Sequence, residues 1–177
     1  SLDLRTGPVA VPLELHIPSL RLVAPVLGVG ITADDVMDAP KGTAADPVWQ
    51  SAFWYRGGGI PGDVGTATLA GHVDDLLGRP AVFARLDEMR SGDLIVVHDT
   101  RSGLDMRFTV VQSEIYTARQ AADPAILAQV YGSGPASGKG PLPAPDGLSH
   151  LTLITCSGSY VNGGYDHRLV VYATRSE

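Results

Sequence analysis

A single cysteine, Cys156, occurs in the 177-residue chain. One thiol excludes an intramolecular disulfide framework and any zinc or iron–sulfur site built on several thiolates. No run of about 18 apolar residues is present, so no segment reads as a membrane-spanning helix. Positive charge is scarce: 13 Lys and Arg stand against 19 Asp and Glu, a formal net charge of −6. Without a long basic run, a nucleic-acid partner is excluded as a reading. There is no Gly-x-Ser-x-Gly elbow, the nucleophile turn of the α/β-hydrolases. The run Gly57-Gly58-Gly59-Ile60-Pro61-Gly62 lacks the Lys-Ser/Thr of a phosphate loop and leads into a strand, not a helix.

What the chain does have is apolar content and turn formers. Hydrophobic residues make up 44% and charged residues 18%, a balance that supports a packed core rather than disorder. Gly and Pro together number 21 and 13, well above a typical combined share of about 12%. Short elements and many turns follow. The length accommodates one domain, with residues 1–10 as an arm or linker and 11–177 as the folded unit.

Strands are expected at 13–17, 25–31, 66–72, 94–98, 106–116, 151–156 and 168–173, which are rich in Val, Ile, Leu and Thr. Met106, Phe108 and Val110 share one face of their strand, with Arg107 and Thr109 on the other. A helix is expected over 79–90, where Val82, Phe83, Leu86 and Met89 fall at helical spacing. A second begins at Asp123-Pro124 and runs to Tyr131. A short turn fits 32–37. Residues 132–149, rich in Gly, Ser and Pro, read as a long loop of functional type. Seven or eight strands with helices only in the connections predict a mainly β fold, a closed or nearly closed barrel.

Two readings of Cys156 stand side by side. It ends Leu151-Thr152-Leu153-Ile154-Thr155 and is followed by Ser157-Gly158-Ser159, so it is either an inert buried thiol or a rigidly held, reachable one. A reactive thiol needs a base or a cation, because an ordinary one is only a few per cent thiolate at neutral pH. Of the five histidines, His16 alternates with Leu15 and Ile17 and faces outward, and His98 sits at a solvated strand end. His150 lies about 20 Å from Cys156 along an extended strand, and His167 sits beside Arg168. His72 ends Thr68-Leu69-Ala70-Gly71-His72, a second apolar strand closing on a polar group. Arg168 opens Leu169-Val170-Val171-Tyr172-Ala173 and is either a solvated rim residue or a hydrogen-bond donor to a developing oxyanion. His72-Val73-Asp74-Asp75 has no second His at ligand spacing, so no metal is expected.

These three segments resemble the signature segments of the sortases, cysteine transpeptidases of Gram-positive cell surfaces. Leu15-His16-Ile17-Pro18-Ser19-Leu20, Trp54-Tyr55-Arg56 and Gly78-Arg79-Pro80-Ala81-Val82-Phe83-Ala84-Arg85-Leu86 extend the resemblance over nearly the whole chain after Ala10. The resemblance implies an eight-stranded barrel without a cofactor, and cleavage of a Leu-Pro-x-Thr-Gly-like sorting signal between Thr and Gly. The acyl group then passes to an amine of a cell-wall precursor. It also implies roles: Cys156 as nucleophile, His72 as acid/base, Arg168 as oxyanion or substrate stabiliser, and Thr155 in substrate positioning. Val73-Asp74 and Ser157-Gly158-Ser159 look most like class F, whereas the His-Pro that class E members carry after the Cys is absent. Asp166-His167 precede Arg168, a residue or two later than many class F sequences carry their Arg. The chain starts at Ser1, which fits a mature or trimmed fragment of an extracytoplasmic protein whose N-terminal membrane anchor lies ahead of it. A peptide hydrolase on the same fold and a non-catalytic wall-binding barrel are the alternatives.

Overall fold

The computed structural model describes residues 4–5, 7–33, 37–131, 146–161 and 164–176, with the side chains of 156–161 and 164 left aside. Its strands are β1 (Val9–Ile17), β2 (Leu22–Val29), β3 (Ala52–Tyr55), β4 (Gly65–Ala70), β5 (Leu94–Asp99), β6 (Asp105–Thr117), β7 (Ser149–Val161) and β8 (Gly164–Arg175). They close into one barrel in the order β1-β2-β3-β4-β7-β8-β6-β5. The β2–β3 and β4–β7 pairings are parallel. Two helices, α1 (Ala118–Ala121) and α2 (Pro124–Tyr131), lie in the β6–β7 connection.

Period-two alternation fills the barrel. Met106, Phe108 and Val110 of β6 point inward, as do Leu151 and Leu153 of β7 and Leu169, Val171 and Ala173 of β8, all buried in one cluster with Phe83 and Leu15. The outer face of β7 and β8 is covered too. Val170 packs with Tyr55, Val130 and Tyr131, and Ile154 and Tyr172 border that cluster. A buried hydroxyl pins α2 there, Thr68 Oγ1 donating to the Val130 carbonyl at 2.8 Å. Burial on both faces explains why these strands read as near-continuous apolar runs.

The seven expected strands all form, with shifted ends. β1 already begins at Val9, and the Leu4 carbonyl accepts from Ile31 N at 2.8 Å. β4 ends at Ala70, so Gly71 and His72 lie just beyond it. The sequence pattern did not single out β3 as a strand; it is only Ala52–Tyr55 and owes its place to the β2 and β4 ladders. The expected helix over 79–90 is a correction. That stretch is turns and a single 3-10 turn, Leu86–Glu88. Val82, Phe83, Leu86 and Met89 do reach the core, which satisfies the periodicity. Their backbone is held sideways instead: Ala81 N donates to Val73 O, Val82 N to Trp49 O and Phe83 N to His72 O, at 2.9–3.0 Å. With those donors engaged across the chain, the i to i−4 ladder of a helix does not form. The middle of the turn expected at 32–37 and the loop expected at 132–149, apart from 146–149, lie outside the described residues. Among the described residues no helix is long and apolar enough to cross a membrane.

Candidate active site

Strand order brings the three segments side by side, with His72 just beyond β4. Cys156 and Arg168 lie inside β7 and β8 rather than at the strand ends expected, because both strands continue past them. β7 lies between β4 and β8, and in the antiparallel β7–β8 ladder Cys156 is the direct partner of Arg168. On the other side, Ala70 pairs with Ile154, and Gly71 N donates to the Ile154 carbonyl at 3.2 Å. His72 follows two residues past the end of β4, beyond the last paired residues of that ladder. His72, Cys156 and Arg168, 12 to 96 positions apart in the chain, thus lie on or just beyond three neighbouring strands. One ladder further, Arg168 pairs with Tyr116 of β6.

His72 is half-buried and firmly held. Its Nε2 lies 2.8 Å from the Pro40 carbonyl oxygen. Trp49 packs on the ring at a centroid distance of 4.6 Å, and Phe53 meets it edge-on at 5.4 Å. Burial under these rings holds the imidazole pKa below its ordinary value. The Pro40 hydrogen bond and the Asp74 charge pull it back up, and Lys41 adds to the lowering. Each of the other four histidines bonds a carboxylate instead: His16 to Glu14, His98 to Asp105, His150 to Asp146 and His167 to Asp166, at 2.6–3.1 Å. The ring at the site is the one set against apolar walls and a carbonyl.

Arg168 is half-buried, and its Nη1 donates to the carbonyls of Tyr165 at 2.8 Å and His167 at 3.0 Å. These bonds hold the guanidinium over the start of β8, on the face that Val170 and Tyr172 share. Thr155 is buried, its Oγ1 donating to the Gly71 carbonyl at 2.7 Å. That hydroxyl proton is engaged with the backbone next to His72, so Thr155 fixes the strand end that carries the imidazole.

Sequence reasoning missed Pro40, Trp49 and Phe53 around His72. Trp49 sits in the 3-10 turn Pro47–Gln50, capped by Asp46, and its indole N–H donates to Thr43 O at 2.9 Å. Nothing in spacing along the chain joins this segment to His72; only the aromatic residues themselves were visible. Also unforeseen is the bond from Tyr165 Oη to Asp74 Oδ2, 2.7 Å long. A cleft of about 420 Å³ lined by Tyr116, Arg119, Gln120, Asp123 and Ile126 opens on the β6 side of the site. Another of about 370 Å³, lined in part by Trp49, Asp75 and Arg79, lies on the His72 side. No group of three His, Cys, Asp or Glu among the described residues is arranged to hold a metal ion.

Comparison with known proteins yields one family: the sortase domain model matches residues 15–176. No curated protein matches the chain. Solved structures share the fold at low identity. The lid mutant of sortase A from Corynebacterium diphtheriae aligns with a TM-score of 0.64 and 18% identity, over 98% of this chain and 73% of that one. A sortase from Actinomyces oris aligns at TM-score 0.61 and 23% identity, over 97% and 83%. Sortase C from Clostridium perfringens, solved with the C-terminal cell wall sorting motif, gives 0.61 and 18%, over 97% and 73%. Against another chain of the diphtherial sortase A the present chain spans 63% of the length.

Proposed function

The chain belongs to the sortase family, and from that premise we propose that it is a cysteine transpeptidase acting on a sorting signal. The substrate class is a Leu-Pro-x-Thr-Gly-like peptide, cut between Thr and Gly. Support for a peptide of this kind comes from the relative solved with a cell wall sorting motif. The observation that supports the reading is the pairing of Cys156 with Arg168 in the β7–β8 ladder, with His72 just past the end of β4, the strand on the other side of β7.

The chemistry follows from the side chains. The Cys156 sulfur attacks the Thr carbonyl carbon, and the oxygen takes up negative charge. Arg168, permanently protonated, stabilises that oxyanion or the substrate backbone leading to it. As the tetrahedral species collapses, the C–N bond breaks and His72 gives the leaving Gly amine its proton, leaving a thioester on Cys156. An incoming amine of a cell-wall precursor then attacks the thioester, loses a proton to His72, and releases the sulfur with a new amide formed. Thr155 acts in positioning, through Gly71. The unit that does this is residues 11–177, with 1–10 as an arm. In the full-length protein it works outside the membrane behind an N-terminal anchor. The residues after His72 and Cys156 favour class F.

The test is incubation with a small library of Leu-Pro-x-Thr-Gly and Leu-Ala-x-Thr-Gly peptides, with and without an added amine, read by mass. An amide joining the peptide through Thr to the amine, formed by native protein and not by Cys156→Ala, is the expected product. Release of free acid regardless of amine would make the protein a hydrolase. A thiol that resists alkylation in the folded state, with no product at all, would leave a non-catalytic barrel.

A further inference from the structure

The loop that carries His72 after β4 and the strand β8 that carries Arg168 lie on opposite sides of β7, yet they are joined directly. Tyr165, at the start of β8, reaches across 91 positions of sequence, and its hydroxyl donates to Asp74 Oδ2 at 2.7 Å. The same residue's carbonyl accepts from Arg168 Nη1 at 2.8 Å. Asp74 follows His72 by two residues and is itself fixed by a β-bridge to Pro80. The flanking carbonyls are engaged as well, Val73 O by Ala81 N and His72 O by Phe83 N, both at 2.9 Å. Both Tyr165 and Asp74 are half-buried, so the bond is sheltered from competing water more than a surface pair would be.

From this geometry we infer that Tyr165 is a positioning residue, tethering the His72 loop through Asp74 while its backbone holds the Arg168 guanidinium. One residue, by its side chain and its carbonyl, thus sets the spacing between the acid/base and the oxyanion donor. The inference rests on the roles proposed above for those residues. A mispositioning of about 1 Å in such a constellation lowers turnover strongly without changing how substrate binds.

The test compares Tyr165→Phe, Asp74→Ala, Asp74→Asn and the Tyr165→Phe/Asp74→Ala double variant. In sorting-peptide transfer, Tyr165→Phe lowers kcat about tenfold and moves KM less than about twofold. The double variant is no slower than Asp74→Ala alone, the signature of a shared interaction. Asp74→Asn, whose amide oxygen still accepts the tyrosine proton, keeps more turnover than Asp74→Ala. If Tyr165→Phe turns over like native protein while Cys156→Ala is dead, or if the two losses add, the tether is overturned and the transpeptidase reading stands. If native protein transfers nothing, that reading fails, and the His72 Cε1–H resonance decides the tether on its own. A shift on Tyr165→Phe that vanishes in the Asp74→Ala background upholds it; a nil or additive shift overturns it.

Discussion

The Pro40 carbonyl oxygen accepts a hydrogen bond from His72 Nε2 at 2.8 Å. A carbonyl only accepts, so Nε2 carries the hydrogen and Nδ1 is the basic nitrogen of the neutral ring. The tautomer at the site is therefore set by a residue that precedes His72 by 32 positions.

This ring titrates below the ordinary histidine range, chiefly because it is buried against Trp49 and Phe53. Its folded pKa is depressed, so between that value and about 6.5 the unfolded chain binds the extra proton. Stability from this group is full above about pH 6.5 and declines as pH falls toward the folded midpoint. NMR titration of the His72 Cε1–H should give a midpoint under 6.5, with nitrogen shifts of the Nε2–H form above it. Trp49→Leu should move the midpoint upward. A native midpoint at or above about 6.5 contradicts the argument.

Arg168→Ala should lower transfer by about 10²–10³, the usual cost of one oxyanion donor, with the reaction still measurable. Cys156→Ala should abolish it, since no other thiol is present. Single-turnover mass measurements with a sorting peptide and amine distinguish the two. Equal losses in both variants would give Arg168 a role in forming the site rather than in stabilising the oxyanion.

Thr155→Val keeps the shape of a buried side chain and removes the donor to the Gly71 carbonyl. That leaves a partly buried acceptor unmatched, a loss of about 1 kcal/mol. Urea unfolding should show it as a lower midpoint at unchanged slope. Turnover should fall with it, because Gly71 adjoins His72.

Gly71→Ala is expected to damage both stability and turnover. A Cβ there would lie 2.6 Å from Phe83 Cδ2 and 2.7 Å from Val82 Cγ1, both in the packed interior. Overpacking of this kind costs about 1–3 kcal/mol. The displaced loop should also shift the His72 resonances. A native-like melting curve for this variant would mean that Val82 and Phe83 yield more readily than their burial allows.

The places where the sequence misled are as informative as those where it did not. Alternation in 106–110 survives into the barrel unchanged, because a two-residue period is local and the core faces only one side of it. The 79–90 stretch shows helical spacing yet no helix, because Val73, Trp49 and His72 claim its backbone donors. β3 is too short to carry a period and exists through its neighbours.

Within the chain itself, local chemistry determines which segments are extended and which of their faces are apolar, but not where they end: β7 and β8 run past Cys156 and Arg168, and β4 stops short of His72. The order of strands, the pairing of Cys156 with Arg168, the bond from His72 to Pro40 and the link from Tyr165 to Asp74 arise only on closure of the barrel. Their partners are 12 to 91 positions apart, and no short-range preference of the backbone distinguishes one distant partner from another. Burial of both faces of β7 between β4 and β8 makes that choice.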